Sequence, residues 1–232
     1  MKNIIKHTDH RPWPIPHRPW VWYQEWNNAV FIHARVERAW LVNNVPAGLA
    51  LDTFGGDAWV SIVPFRMQKI RPRFLPHFNA ISDFYEINIR TYVVVDNKPG
   101  VFFLSIEAGK RLSGYIAKTI SGLPYRYQSF IFDDHHLAAP WLYFDYNILE
   151  KKDKKNAFDL WVTERYCLYY NNGSGIYRYN IHHLPWPLQS ISVNNFQTSH
   201  PVFKTMENVF KPEICHYSPG VKVIAWTAER VL

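Results

Sequence analysis

The sequence predicts an α+β fold that is mostly β, on three observations. Short segments that alternate or cluster Val, Ile, Phe, Tyr and Trp recur along most of the chain. Turn signals separate them: Gly55-Gly56-Asp57, Asp96-Asn97-Lys98-Pro99-Gly100, Asn171-Asn172-Gly173-Ser174-Gly175 and Ser218-Pro219-Gly220. Few stretches carry a helical period, and none is long.

Composition agrees with a packed core. The 232 residues include 10 Trp, 14 Tyr and 15 Phe, so aromatics make 17% of the chain and exclude disorder for most of it. Lys and Arg number 26 against 19 Asp and Glu, a net charge of +7 that favours anionic partners without naming one. Cys167 and Cys215 each sit in an aromatic or apolar stretch, as reduced thiols of a cytoplasmic protein would, with a single bridge as the alternative. The first residues contain no apolar signal region, and every apolar run is broken well before membrane-spanning length. The expectation is one cytoplasmic domain over residues 1–232, with residues 1–16 as an extended Pro/Trp-rich arm.

Taken in order, the prolines of Arg11-Pro12-Trp13-Pro14-Ile15-Pro16 lack the N–H and fix φ, so this stretch should run extended, anchored by Trp13. Val21 to Trp26 reads as a strand, and Asn27 or Asn28 as the cap of a helix carrying Val30, Phe31, Ala34 and Arg35 toward Trp40. Ala58 to Met67 is a strong strand, with Pro64 marking an edge or a bulge. Leu112, Tyr115, Ile116, Thr119 and Ile120 recur at helical spacing and Gly122 supplies the stop, giving a helix over Arg111 to Ser121. Strands follow at Arg126 to Phe132 and Trp141 to Leu149. The charged run Lys151-Lys152-Asp153-Lys154-Lys155-Asn156 reads as a solvated turn before the next strand. A hairpin at Tyr166 to Tyr170 and Ile176 to His182 and a last strand at Val221 to Trp226 complete the chain.

The clearest inference is a hairpin of Ile87 to Val95 with Val101 to Glu107. With Asp96 facing Val101, Val95 meets Phe102, Val93 meets Leu104, Tyr92 meets Ser105 and Arg90 meets Glu107, which gathers polar residues on one face. Glu86 and Asn88 continue that line. A period-two row of ionisable groups in apolar strands makes either a pocket for an acid or a wetted sheet face. Glu86 and Arg90, about 13 Å apart along a strand, would address different parts of a ligand.

Other chemistries find little support. His135-His136 and His182-His183 place neighbouring imidazoles on opposite strand faces, so neither pair chelates one ion, and no metal or cofactor is expected. Ser113 and Ser121 lack a nucleophile-elbow setting, and no glycine-rich phosphate loop occurs. Basic charge with aromatics could form a nucleic-acid-binding surface, but no recognisable module supports that alternative.

Several of these segments together resemble the YqjF-like bacterial family of unknown function. They run from His10-Arg11-Pro12-Trp13-Pro14 and Leu51-Asp52-Thr53-Phe54 through Ala58 to Met67 and Glu86 to Val93. The likeness continues in Gly100-Val101-Phe102-Phe103, Glu164 to Tyr169, Ile181 to Leu188 and Tyr217-Ser218-Pro219-Gly220, and spans nearly the whole chain. The resemblance implies a scaffold similar to acetoacetate decarboxylase: a mostly antiparallel, cone-like β-barrel with a few short helices and an internal pocket. Decarboxylases of that fold form a Schiff base with a lysine that follows a Gly-x-Pro turn and is activated by an adjacent lysine. The matching stretch is Gly122-Leu123-Pro124-Tyr125-Arg126, with Tyr125 and Arg126 where lysines would stand; Lys110 and Lys118 are the nearest substitutes. Tyrosine forms no imine and arginine stays protonated. The expected function is therefore binding of a small organic acid or carbonyl compound by Glu86, Asn88, Arg90, Tyr92, Glu107 and Tyr125, without lysine catalysis. The alternative is an enzyme acting on a small oxo acid by decarboxylase- or isomerase-like proton transfer, in which Arg90 holds the carboxylate, Glu86 or Glu107 moves a proton and Tyr125 donates a hydrogen bond. Exposed aromatics would equally support a homo-oligomer.

Overall fold

The computed structural model describes residues 2–232, apart from the side chains of Lys2, Asn3 and Ile120. In chain order the strands are β1 Trp22–Val36, β2 Ala50–Leu51, β3 Ala58–Pro72, β4 Phe84–Val95, β5 Lys98–Ala108, β6 Tyr125–Tyr127 and β7 Ile131–Phe132. They continue as β8 His136–Ala139, β9 Leu142–Lys151, β10 Cys167–Asn171, β11 Ile176–His183, β12 Gln189–Thr198, β13 Ile214–Ala225 and β14 Glu229–Arg230. The helices are α1 Lys2–Lys6, α2 Arg38–Asn43, α3 Asn79–Ser82, α4 Arg111–Ser121 and α5 Ala157–Thr163.

All strands belong to one 14-stranded sheet. Along it β11, β10, β5, β4, β3, β1 and β13 are successive neighbours, and a further antiparallel pairing of β11 with β13 closes them into a ring. Pairing is antiparallel except at β5–β10 and β5–β6. Strands β12, β9, β8 and β7 extend from β13 and lie over the outside of the ring, where Leu142, Phe144 and Tyr146 of β9 join Val30, Ile32, Val60, Ile62, Ile87 and Ile89 in one core. The inward faces form a second core with Phe31, Trp59, Phe65, Tyr92, Phe103, Leu168 and Val223. Ring strands are thus apolar on both sides, as strands buried on both faces must be.

That double burial overturns the helix expected from Asn27 onward. Residues 29–34 are all buried within β1, alternating between the two cores, so the apolar run has no exposed face for a helical stripe to leave. Asn28 is no cap. It takes a left-handed φ of 49° where the β1–β3 register breaks, opposite the bulge that Pro64 marks. The helix comes later, as α2. At the N-terminus, Lys2–Lys6 is helical and the extended path starts beyond it; Met1 lies outside the described residues. Trp13 packs edge-on against Tyr166 at 6.3 Å, and the Arg11 guanidinium lies over the same ring while donating to the Ile181 carbonyl at 2.7 Å.

The β4–β5 hairpin forms, but in another register. Asp96 and Asn97, with φ of 51° and 56°, make a two-residue turn, so Val95 faces Lys98 rather than Phe102. A bulge then leaves Leu104 unpaired between Arg90↔Phe103 and Ile89↔Ser105. The extra residue reverses the facing of everything after it. Glu107 therefore lies opposite Ile87, on the outer side of the ring, and is not a partner of Arg90; Tyr92 faces Val101, not Ser105.

Helix α4 has the expected bounds, ending at Gly122 with φ 70°. Its packing differs from the period: Ser113 and Gly114 are buried while Leu112 and Tyr115 are exposed, because Gly114 lets the helix backbone approach Ala108 of β5. The segment expected as a strand over Arg126 to Phe132 divides into β6 and β7. The charged run 151–156 leads into α5, where Asn156 accepts from the Asp159 N–H at 2.8 Å and Asp159 answers with the Asn156 N–H, a reciprocal cap. Lys152 and Lys155 of this run are paired, with Asp159 at 2.7 Å and Glu164 at 2.5 Å, rather than solvated.

Gly100 sits where β5 and β10 run parallel. A Cβ there would collide with the Cys167 carbonyl oxygen and the Tyr169 ring. Gly100→Ala is expected to lower stability by about 1–3 kcal/mol in urea unfolding; an unchanged midpoint would contradict this close approach.

Candidate functional site in the ring cavity

Each ring strand contributes side chains to one cavity of about 350 Å³, including Phe31, Val63, Arg90, Phe103, Leu168, Ile181 and Ala225. One end is rimmed by the loop after β3 (Pro72, Pro76, Phe78), by Ile81 of α3 and by Ile116 and Ala117 of α4. Strand β4 enters beside that rim, and its inward face reads Phe84, Glu86, Asn88, Arg90, Tyr92 from rim to floor. Glu86, Asn88 and Arg90 line the cavity, and Tyr125 of β6 joins them. The row inferred from sequence is thus present on a single face. Tyr92 lies beneath it, fully buried, and Glu107 is outside the ring beside His200 and Ser105, at 3.4 and 2.7 Å.

Arg90 is 8% exposed and sits in unusual company. Its guanidinium lies 5.5 Å from the Phe31 ring, one terminal nitrogen donates weakly to the Val162 carbonyl at 3.4 Å, and Nε has no hydrogen-bond partner. A second buried guanidinium, Arg165, stands over Tyr92 and Trp161 at 4.9 and 4.5 Å and is paired with Asp52. Among the described residues no carboxylate pairs with Arg90. A buried cation without a counter-ion is costly, so an anion placed there gains more than it would at the surface. Asn88 Oδ1, Ser113 Oγ and Trp26 Nε1 are further buried polar atoms without partners, and all three residues line the cavity. Buried polar groups without partners are uncommon, and these three come to the cavity from different elements, β1, β4 and α4.

Glu86, 3% exposed, accepts a hydrogen bond from the Tyr125 hydroxyl at 2.9 Å. Burial pushes its carboxyl up to about 7, against the opposing hydrogen bonds of Tyr125 and Asn88. Burial and the neighbouring Glu86 hold the Tyr125 phenol well above its usual range, so it remains a donor at neutral pH. Arg126 is exposed and points away from this centre. No lysine lines the cavity among the described residues: Lys110 is exposed and donates to the Asp83 carbonyl at 2.5 Å, and Lys118 is exposed.

Beneath the floor runs a polar chain that sequence reading missed. Tyr92 OH and Ser61 Oγ are 2.5 Å apart, Ser61 Oγ and His33 Nδ1 2.6 Å, His33 Nε2 and His216 Nδ1 3.3 Å, and His216 Nε2 and Asp159 Oδ1 2.9 Å. One arrangement of protons satisfies every member: each group donates to the next and the carboxylate accepts last. Burial, then the charges of His216 and Arg90, hold His33 well below its usual pKa, and burial lowers His216 to about 4, so both are neutral near pH 7. His33 was obscured because it lies in the stretch read as a helix. An imidazole among Phe31, Ile32 and Ala34 is the signal that could have exposed it.

Residues 23–222 match the family model of an uncharacterized conserved protein, DUF2071. The chain is 34% identical to the uncharacterized protein YqjF of Bacillus subtilis (strain 168), over 91% of this chain and 93% of that one. Solved structures share the fold at lower identity. The enduracididine biosynthesis enzyme MppR complexed with pyruvate superposes with a TM-score of 0.62 at 9% identity, covering 95% of this chain and 93% of that one. The acetoacetate decarboxylase of Legionella pneumophila superposes with a TM-score of 0.60 at 11% identity, covering 97% and 94%. The fold is therefore that of the acetoacetate decarboxylase-like proteins, and by the family match and the identity to YqjF the chain belongs to the uncharacterised YqjF-like DUF2071 family.

Proposed function

We propose that this protein is one cytoplasmic domain that binds a small organic acid or carbonyl compound in the ring cavity, with Arg90 as its anion site and without Schiff-base chemistry. The observation that carries the reading is the buried Arg90 guanidinium, which lines the cavity with no carboxylate beside it. A ligand carboxylate would supply the missing counter-charge and accept from Nε, a charge-assisted bond. A structural neighbour, MppR, has been solved in complex with pyruvate, which agrees with an acid in such a cavity. Two unpaired thiols, Cys167 and Cys215, suit a reducing compartment. No described helix is long and apolar enough to cross a membrane.

Glu86 supports a second reading, proton transfer on the bound acid. A carboxyl that titrates near neutrality is suited both to accept and to return a proton, and Tyr125 can donate to a carbonyl oxygen beside it. In both readings Arg90 positions the ligand and Glu86 faces its distal part.

Two outcomes are expected. In thermal-shift measurements, small keto and hydroxy acids raise the Tm of the wild type and not of Arg90→Met, while the ligand-free variant is as stable as wild type or more so, because an unpaired buried cation has been removed. A strongly destabilised Arg90→Met protein, with no acid raising the wild-type Tm, would make Arg90 a structural residue and overturn the reading. The second outcome concerns pH. The folded state keeps the Glu86 proton up to about 7, whereas the unfolded chain releases it near 4.5. Wild type should then lose roughly 3 kcal/mol relative to Glu86→Gln as pH rises through that window, with no further change above it. Urea midpoints of both proteins at pH 5 and pH 8 measure this, and a difference independent of pH would contradict the burial of Glu86.

A further inference from the structure

We propose that the ligand is an amphipathic acid: a carboxylate carried on an aromatic or medium-length aliphatic body of about ten to fifteen non-hydrogen atoms, in place of a compact acid. This rests on the anion site at Arg90 and adds what fills the remainder of the cavity.

Volume is the first argument. A space of about 350 Å³ equals about a dozen water volumes at roughly 30 Å³ each, so a three-carbon acid would occupy less than half of it. The second is placement. Arg90 lies toward the floor and Glu86 nearer the rim on the same face of β4, about 13 Å apart at the usual rise per residue. A carboxylate at Arg90 therefore sends its body past Asn88 toward Glu86. The third is the chemistry of the wall along that path: Trp26, Phe31, Phe65, Phe103, Leu168 and Trp186. The cavity surface is mostly apolar, and among the described residues its fully buried unpartnered polar atoms besides Arg90 Nε are Trp26 Nε1, Asn88 Oδ1 and Ser113 Oγ, a lining that suits a ligand apolar over most of its length. The rim continues the apolar path, since Phe78 lines the opening while 67% exposed.

Isothermal titration with butyrate, hexanoate, octanoate, octanamide, pyruvate and phenylpyruvate tests this. Each added methylene entering the cavity should tighten binding about three- to fourfold, so octanoate should exceed butyrate by about a hundredfold or more. Phenylpyruvate should exceed pyruvate similarly, octanamide should bind at least tenfold more weakly than octanoate, and the stoichiometry should be one. Ala117→Trp, which narrows the cavity from α4, should reduce the octanoate-to-butyrate ratio at least tenfold, and Arg90→Met should abolish the preference for octanoate over octanamide. If butyrate and pyruvate bind as tightly as their larger counterparts and depend on Arg90, the amphipathic ligand is wrong and the acid site stands. If octanoate binds Arg90→Met as tightly as wild type, the acid site itself is wrong.

Discussion

Closure of the ring through β11 and β13 is the constraint on which the other features depend. Ile181, His182 and His183 pair with Ala225, Ile224 and Val223, and once that ladder forms the ring strands have no free edge between them. The ring strands then carry two buried faces, one toward the cavity and one toward an outer cover, which is the layer of β9 and β12 over much of the ring and the N-terminal segment with Ile4 and Trp20 over Tyr23, His182 and Ile224. That layer explains the high aromatic content: two cores must be filled where a half-solvated sheet would fill one. It also explains why polar groups inside the ring must be matched one by one, since water is excluded from most of them.

Charge inside the ring is balanced unevenly. Arg165 has Asp52, and Asp159 has Lys152 and His216; Glu86 shares its hydrogen bonds with Tyr125 and Asn88 and moves toward its neutral form. Among the described residues neither Glu86 nor Arg90 has an opposite charge beside it, but the carboxyl can take up a proton whereas the Arg90 guanidinium, on the cavity floor, stays charged. The polar chain from Tyr92 to Asp159 sits directly below; its two imidazoles are neutral near pH 7, and its one carboxylate, Asp159, is at the far end and paired with Lys152. An interior that pairs Arg165 and Asp159 and leaves the Arg90 guanidinium beside a cavity is the basis of the proposal that an anion binds there.

Much of this was legible in the residues, and the failures have definite physical causes. The period-two row Glu86, Asn88, Arg90 was readable because polar residues alternating with Ile87 and Ile89 must share one face of a strand, although a wetted sheet face would give the same pattern. Residues 29–34 were misread because a strand buried on both faces shows no alternation, and its apolar run fits a helical period as well. Glu107 was placed in the pocket because nothing in the sequence marks Leu104 as a bulge; one unpaired residue turned Ser105 and Glu107 outward and Ile106 and Ala108 inward. The turn at Asp96-Asn97 was hidden by the Pro99-Gly100 pair beyond it, which favoured a longer loop. Lys152 and Lys155 looked solvated because their partners, Asp159 and Glu164, belong to a helix the charged run conceals.

The central claim is that Arg90 receives the acid, and the Nε–Hε group of its guanidinium reports on it directly. In 15N-labelled protein, the Nε–Hε resonance of Arg90 is identified by its loss in Arg90→Lys. On titration with phenylpyruvate this resonance is expected to move further than that of any other arginine and to stop at one equivalent, as Nε gains its missing acceptor. An Arg90 resonance that stays in place while the acid saturates the protein would put the binding elsewhere and contradict the account.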